Sequence, residues 1–480
     1  MRTLVTHENL EQVISRLLQV TGVVGFDTET YGLKWNDKMF SLQLCTENNE
    51  SFYFNFHDYK DGATPTLDRE ILTRLNPLFA NSNIRWVAHN AKFDLRRLEI
   101  DGIKLNGEVY DTMSMAHIEY NKHMSYSLDS CLKRIGKEKN SKVELWIRDN
   151  KAYTTYLVEG KKTKEKDLHY DRVPFDIMFE YGLDDVELTL ELYRHQTKFF
   201  EENPDQIALV HNELQLIKAV YEMESTGIAV DVGYCNKMYV KELKTQREIV
   251  KHIEKLTDKE FKNGPKWLSS VLQEQGIELH TTEKGNASLG KKELSSMNNA
   301  IPQLILEMRD AEKRATAFYA PLQRMADKGI IHPSYRLTGT DTGRFSCSDP
   351  NIQQIPKQEK ETGDTVRQAF IPRPGYFFLS IDYDQMEYRI MADYAGETNM
   401  ISAIKSGLDP HTYVANMMGV DRKTAKTLNF GRQLELGRSK TYSIQGNPKW
   451  AILSESSGDT RSVQRLTGIL EQDTAAYAKA

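Results

Sequence analysis

Four short apolar runs before residue 90 decide what the N-terminal part of this chain can fold into. They are TGVVGF (21–26), FSLQLC (40–45), SFYFNF (51–56) and IRWVA (84–88). Each is short and rich in β-branched or aromatic residues, so each reads as a strand. The opening MRTLVTHENLEQVISRLL reads as a short strand and an amphipathic helix. Strand and helix therefore alternate to about residue 200, which is an α/β layer. Within it, 156–172 is polar and charged and reads as an exposed insertion.

Beyond residue 205 the pattern becomes helical, through Glu/Lys/Leu/Gln-rich stretches at 205–260 and again at 300–328. Short strands are expected to return at RQAFIP (367–372) and GYFFLSIDY (375–383). No repeat recurs at a fixed period. The segment from Arg432 is rich in Ser, Thr, Gly and Gln, and its two apolar patches, KWAIL and RLTGIL, assign no structure.

At 480 residues the chain is long enough for about three domains. Hydrophobic residues make up 39%, which excludes collagen and low-complexity disorder. Four separated cysteines, with no CxxC pair, exclude a disulfide scaffold, argue against a zinc site and fit a reducing compartment. No apolar run is long enough to span a membrane and no signal peptide opens the chain, so a soluble, cytoplasmic protein is expected. A net charge of −5 neither requires nor excludes a polyanionic substrate.

The first chemistry-bearing constellation lies in the α/β layer. FDTET places Asp27 and Glu29 at i and i+2 at a strand end, on one face. HNAKFD ends in Asp94, and YGLDD places Tyr181 and Asp185 at i and i+4, on one face of a helix. Each fragment alone reads better as a turn, a helix cap or a surface pair. Together they are four carboxylates, the oxygen ligands that hard divalent cations prefer, and a tyrosine that could orient a water. Two such ions about 3.5–4 Å apart stabilise the attacking and leaving oxygens of a phosphodiester displacement.

This set, over residues 1–200, resembles the 3′–5′ proofreading exonucleases of the ribonuclease-H-like fold. The resemblance implies that Asp27, Glu29, Asp94 and Asp185 ligate two Mg²⁺ ions, with Mn²⁺ also suited. It implies that Tyr181 positions the nucleophilic water on the 3′ end of a single-stranded DNA. Asp111, in YDTM, matches a recurrent family position and reads as structural.

The second constellation begins with DTGRFSCSDPNIQQIP (341–356), a run that neither helix nor strand periodicity explains. It resembles the signature of the A-family DNA polymerases, the bacterial DNA polymerase I type. By that resemblance Arg344 reads the minor-groove side of the primer terminus, where acceptors are shared by all correct pairs, and Gln353 and Gln354 contact template and primer. SIDYDQMEYR (380–389) resembles the family's first palm motif, with Asp384 in place of Ser and Tyr388 in place of Leu. Asp382 would bind both metals, Glu387 would select deoxynucleotides, and Tyr383 and Gln385 would line the same pocket.

His411, in DPHTYVA, matches a nucleotide-binding position. RKTAKTLNFG (422–431) resembles the fingers helix, where Arg422 and Lys426 would neutralise the triphosphate, Lys426 would protonate the leaving pyrophosphate, and Phe430 would stack on the incoming base. HNELQLIKAVYEMESTGIAVD (211–231) and the weaker match FKNGPKWL (261–268) place the thumb at 205–330, with helices gripping duplex phosphates.

The match ends after Gly431. Leu434 and Glu435 stand where the family has Tyr-Gly, and the His-Asp-Glu triplet carrying the second palm aspartate occurs nowhere in the chain. One aspartate is not expected to sustain synthesis. A frameshift, a split gene or intron read-through would produce so abrupt a junction.

The expected organisation is an α/β exonuclease domain (1–204), a mostly helical thumb (205–330), a partial α+β palm with the start of the fingers (331–431) and an unmatched tail (432–480). The expected partners are primer–template DNA, a single-stranded 3′ end, deoxynucleoside triphosphates and, if the polymerase is split, a second polymerase fragment. Residues 1–200 should fold as a unit, with 331–480 marginal alone. The rival readings are a polymerase completed in trans or by splicing, an exonuclease that uses the rest as a DNA grip, and a non-catalytic DNA-binding fragment. The intact carboxylate set argues against the last.

Overall fold

The apolar runs of the N-terminal part assemble into one six-stranded sheet with the spatial order β1-β4-β3-β2-β5-β6. The strands are β1 (Arg2–Leu4), β2 (Gly22–Thr30), β3 (Met39–Thr46), β4 (Ser51–Asn55), β5 (Ile84–Ala88) and β6 (Glu108–Asp111). β2 runs antiparallel to β3 and parallel to β5, and β3 is antiparallel to β4. Every residue of β3 and β4 is buried, as strands covered on both faces must be. The structure is a computed structural model. It describes residues 1–426 apart from 123–124, 158–163, 278, 282–286, 357–364, 384 and 397.

Two faces of β2 serve different neighbours. Val24 and Phe26 enter the main core with Trp86, which stacks on Phe79 at 4.7 Å and meets Phe26 edge-on at 5.8 Å. Val23, on the other face, packs with Val186 and Leu190 of the long helix Phe175–Glu202. That helix lies across the sheet. Arg2, on β1, ties to it through Glu180, Asp184 and Glu187 at 2.5–2.7 Å.

The charged stretch before this helix contains paired strands, β7 (Tyr153–Leu157) and β8 (Lys164–Leu168), with Thr154, Thr155, Lys166 and Leu168 exposed. Its backbone pairing replaces the apolar content that a sequence reading looks for.

The helical region follows as Ile207–Thr226, Val232–Thr257, Pro265–Glu274 and Ala300–Lys313, the last continuing through a π turn, Arg314–Tyr319, into Ala320–Met325. Asp231 caps the second helix by accepting from the Tyr234 N–H at 2.8 Å. Ile217 and Val220 of the first helix lie in the same core as the sheet. Cys235, Met238, Phe318, Tyr319 and Val366 form one further core; Ile253, Leu268, Leu272, Ile301 and Ile305 form another.

The chain divides into two compact units, one from Met1 to Phe377 and a second beginning at Phe378. The strands expected at RQAFIP and GYFFLSIDY do not form. Val366–Ala369 is a single 3₁₀ turn, Phe370 makes an isolated bridge to Val230, and 376–383 is in no strand. An extended run becomes a strand when a neighbour takes up its N–H and C=O groups along its length. RQAFIP is joined to 229–231 by two such bonds, Asp231 N–H to the Ala369 carbonyl and Ile371 N–H to the Ala229 carbonyl, which make a bridge and not a ladder, and 377–383 pairs with no other strand among the described residues. The second unit is otherwise helical, through Met386–Tyr394, Thr398–Lys405 and Pro410–Met418.

Candidate active site

Alternation along β2 sends Gly25, Asp27 and Glu29 to the face that the long helix covers. The approach is unusually close because glycines lie on both surfaces. A Cβ on Gly25 would sit 2.9 Å from Leu190 Cγ, and one on Gly182 would sit 2.9 Å from Gln43 Nε2. With no side chain at either position, the helix settles onto the sheet. Tyr181 and Asp185, one turn apart and flanking Gly182, come down over the end of β2. Asp27, Glu29 and Asp185 each bring a carboxylate oxygen within 4.8 Å of the others.

Three carboxylates at this spacing repel one another and are largely stripped of water. Burial raises Asp27 to about 7, with the Asp94 charge adding to the effect. Glu29 is pushed well above the ordinary carboxylate range by burial, then by Asp27 and Asp185. Burial also lifts Asp185 to about 7, against the pull of Lys139. Oδ1 of Asp185 is buried without a hydrogen-bond partner. An oxygen-only set with an unsatisfied carboxylate oxygen fits a hard divalent cation.

Asp94 stands beside this group rather than within it. It lies in the first turn of the helix Ala91–Ile100, 2% exposed. Its Oδ1 accepts from the Thr28 N–H at 3.0 Å and the Thr28 hydroxyl at 2.6 Å. Burial raises it to about 7 although both Thr28 bonds favour the charged form. Asp111 accepts from the Asn90 N–H at 2.7 Å, the Met113 N–H at 3.1 Å and the Ser114 hydroxyl at 2.9 Å. It caps the helix Thr112–Glu119, a structural task.

The residue that sequence reasoning missed is Lys139. Its Nζ donates to Asp185 Oδ2 at 2.5 Å and to the Tyr181 hydroxyl at 2.8 Å, and lies 4.2 Å from the centre of the Tyr181 ring. The Tyr181 hydroxyl in turn donates to Glu144 at 3.4 Å. Burial, with Asp185 and Glu29, pushes the Tyr181 phenol far above its usual range. Lys139 sits in a loop with other lysines nearby, and nothing in its spacing sets it apart.

The polymerase-like residues fall in both units. In the first, Arg344 follows the turn between β11 (Ser334–Arg336) and β12 (Ser346–Ser348), which pair antiparallel after the short strands β9 (Ile228–Ala229) and β10 (Ile330–Ile331). Gln353 and Gln354 lie on a 3₁₀ turn, and the Gln353 amide donates to the Phe345 carbonyl at 3.1 Å, next to Arg344. All three side chains are exposed.

In the second unit, Asp382 and Tyr383 are exposed, and Glu387 lies in the first turn of Met386–Tyr394. Asp409 gathers two expected substrate contacts. It accepts from Gln385 at 2.8 Å and from both Arg422 nitrogens at 2.8 and 2.9 Å, which hold its carboxyl far below the usual range. His411 is buried in Pro410–Met418, and Lys426 is exposed one turn after Arg422. Asp384, Phe430 and 432–480 lie outside the described residues. Among those described, the Asp27 group is the one acidic cluster suited to a metal, and Asp382 is not in it.

Comparison with known proteins agrees with both halves. Residues 1–199 match the family model described as 3′–5′ exonuclease. Residues 233–439 match the one described as DNA polymerase family A. The chain thus joins a region of the exonuclease family to a region of the polymerase family. The chain is 29% identical over 467 residues to "DNA polymerase DpoZ" of Salmonella phage PMBT28, covering 88% of this chain and 71% of that protein. It is 30% identical over 390 residues to "DNA polymerase I" of Chloroflexus aurantiacus, covering 75% of this chain and 39% of that one.

The POL domain of Pol1 from M. smegmatis, solved in complex with DNA primer-template and dNTP, shares the fold at a TM-score of 0.71. It covers 93% of this chain and 75% of that chain at 21% identity. Residues 233–439 are thus the part that matches DNA polymerase family A, and a region matching the 3′–5′ exonuclease family lies ahead of it. No described helix is long and apolar enough to cross a membrane.

Proposed function

We propose that this chain trims the 3′ ends of DNA as the proofreading part of a family A replicative polymerase. The observation that carries the reading is the meeting of Asp27, Glu29 and Asp185 at the foot of the helix that also bears Tyr181. Asp27, Glu29, Asp94 and Asp185 would hold two Mg²⁺ or Mn²⁺ ions, which would supply the positive charge that stabilises attacking and leaving oxygens in phosphodiester hydrolysis. Tyr181 keeps its proton throughout the working range, because burial and the neighbouring carboxylates oppose its ionisation. It therefore orients the water rather than deprotonating it. The sheet and long helix hold these groups on rigid elements, which is what a hydrolytic site needs.

On the polymerase side, we assign Arg344, Gln353 and Gln354 to primer–template, and Tyr383, Gln385, Glu387, His411, Arg422 and Phe430 to the incoming deoxynucleoside triphosphate. Asp382 would hold metal, and Lys426 would donate a proton to pyrophosphate. Residues 205–330 serve as the thumb, between a nuclease domain (1–204) and a partial palm and fingers (331–431). On the helix Val232–Thr257, the exposed Lys237, Lys241, Lys244, Arg247, Lys251 and Lys255 recur at helical spacing and form one basic stripe.

Asp382 lies in no acidic cluster among the described residues. Two arrangements are proposed for this half: a second polymerase fragment that brings a further carboxylate, or a nuclease that uses the polymerase portion only to grip DNA. The compartment is the cytoplasm, of the host if the gene is a phage's.

The test uses a 5′-labelled primer on a longer template in Mg²⁺, with and without the four deoxynucleotides. Shortening in both lanes, abolished by Asp27→Ala, is expected. Extension in the nucleotide lane would overturn the nuclease-only reading; no shortening in either lane would overturn the function.

A further inference from the structure

The loop that carries Lys139 is strapped to the long helix by three successive contacts. Lys137 pairs with Glu191 at 2.7 Å, Lys139 with Asp185, and the Asn140 amide donates to Asp184 at 3.3 Å. The strap runs between the helices Leu128–Arg134 and Lys142–Asp149. The second of these supplies Val143 and Ile147 to a core that includes Tyr181, and Glu144 beside the phenol. Lys139 is thereby aimed into the carboxylate cluster, with its side chain only 16% exposed. A surface lysine makes a weak, screened ion pair. This one sits where charge pairs are strongest, against the cluster that is otherwise short of positive charge.

Two consequences follow from the contacts. The ammonium holds Oδ2 of Asp185 and leaves the unpartnered Oδ1 to face a metal. Its other hydrogen bond fixes the phenol, because a tyrosine oxygen accepting from Lys139 must turn its own proton elsewhere.

We infer that Lys139 is the built-in counter-cation of the nuclease site: it holds Asp185 and Tyr181 in register while the metal is absent, offsets the negative charge of the cluster until an arriving divalent ion takes over that role, and keeps the phenol aligned during hydrolysis. It is a positioning residue, acting through Tyr181 and Asp185. The inference rests on the proposed nuclease reading.

The test compares the full-length wild type with Lys139→Met, which keeps the aliphatic bulk, and Lys139→Arg, which keeps the charge. Free Mn²⁺ is titrated by electron paramagnetic resonance without DNA, and trimming of a 5′-labelled single strand is followed separately. In Lys139→Met, Mn²⁺ binding should tighten about tenfold, the order expected for deleting one unit charge a few ångström from a partly screened site. Its kcat should fall about 10- to 100-fold with KM for DNA little changed, as when a positioning partner is lost. Lys139→Arg should recover much of the kcat.

Unchanged or weaker Mn²⁺ binding in a folded Lys139→Met protein would overturn the exchange, and an unchanged kcat would overturn the alignment. A wild type that neither binds Mn²⁺ nor trims DNA would instead overturn the proposed function.

Discussion

Asp27 and Asp382 both carry the metal-binding role that the family resemblance implies, and the structure treats them in opposite ways. Asp27 stands at the end of a central strand, with Glu29 two residues on, Asp185 above it and Asp94 close by. Asp382 is exposed in an extended run whose apolar residues are exposed too, Phe377 at 81%, Leu379 at 73% and Ile381 at 83%. Large apolar side chains are seldom left in water in a row, and such a patch marks a surface that something else covers. A metal site needs neighbours as well as ligands. The sheet and the long helix supply them around Asp27; no described residue does so around Asp382.

The largest expected effect removes a ligand from the complete site. Asp27→Ala or Asp185→Asn should lower the rate of 3′ trimming about a thousandfold or more, since metal stabilisation of several kcal/mol converts to that range. The measurement is single-turnover hydrolysis of a 5′-labelled strand. A residual rate within tenfold of wild type would show that the cluster is not the reaction centre.

Next comes the close helix–sheet approach that builds the site. Gly182→Val adds two methyl groups where even a Cβ meets Gln43 at 2.9 Å. Overpacking of this kind costs about 1–3 kcal/mol, so the midpoint of thermal unfolding should fall by several degrees, with Mn²⁺ affinity falling too. Unchanged values for both would mean that the helix does not need its glycine to seat Tyr181 and Asp185.

This part of the site was legible from the sequence because the spacing was legible. A strand end with carboxylates at i and i+2 and a helix with Tyr and Asp at i and i+4 each predict a shared face. Which faces would meet was not written locally; it depended on Gly25 and Gly182, which read as ordinary residues until the helix crosses the sheet. Lys139 was invisible for the same reason, since a loop lysine gains its meaning only from Asp185 across the fold. The exposure of the charged stretch at 156–172 was legible in its polarity, while the pairing of β7 with β8 lies in backbone hydrogen bonds that an apolar pattern does not announce. The apolar content of GYFFLSIDY predicts a strand, and without a pairing neighbour among the described residues that content is not sufficient. The Asp409 bonds to Gln385 and Arg422 are likewise tertiary facts.

The electrostatics of the two regions should separate with pH. Asp27, Asp94 and Asp185 have folded values near 7, raised above those of an unfolded chain. For a carboxylate with a raised folded value, ionisation costs stability. That cost is absent well below pH 4, accumulates as pH rises, and is complete above about 7. The metal-free protein should therefore unfold at a temperature a few degrees higher at pH 6 than at pH 8. Mg²⁺ should narrow that gap by compensating the ionised carboxylates, and should bind more weakly as pH falls through 7, because binding must release protons. Scanning calorimetry with and without Mg²⁺ reads both. Greater stability at pH 8 in the absence of metal would contradict the crowding of carboxylates around Asp27.

The smallest expected effect concerns DNA contact away from either site. The basic stripe on Val232–Thr257 extends from Lys237 to Lys255, eighteen residues or roughly 27 Å of helix. Each cation that neutralises a duplex phosphate releases condensed counterions, so log affinity falls with log salt by about 0.9 per contact. Lys244→Ala with Lys251→Ala should reduce that slope by about 2 and weaken duplex binding about equally for every sequence. Single-strand trimming depends on a different surface and should be unaffected. A salt slope that does not change would remove the stripe from the DNA interface. A parallel loss of trimming would mean that the nuclease reaches its substrate through the same helix, and the two regions would have to be treated as one binding surface.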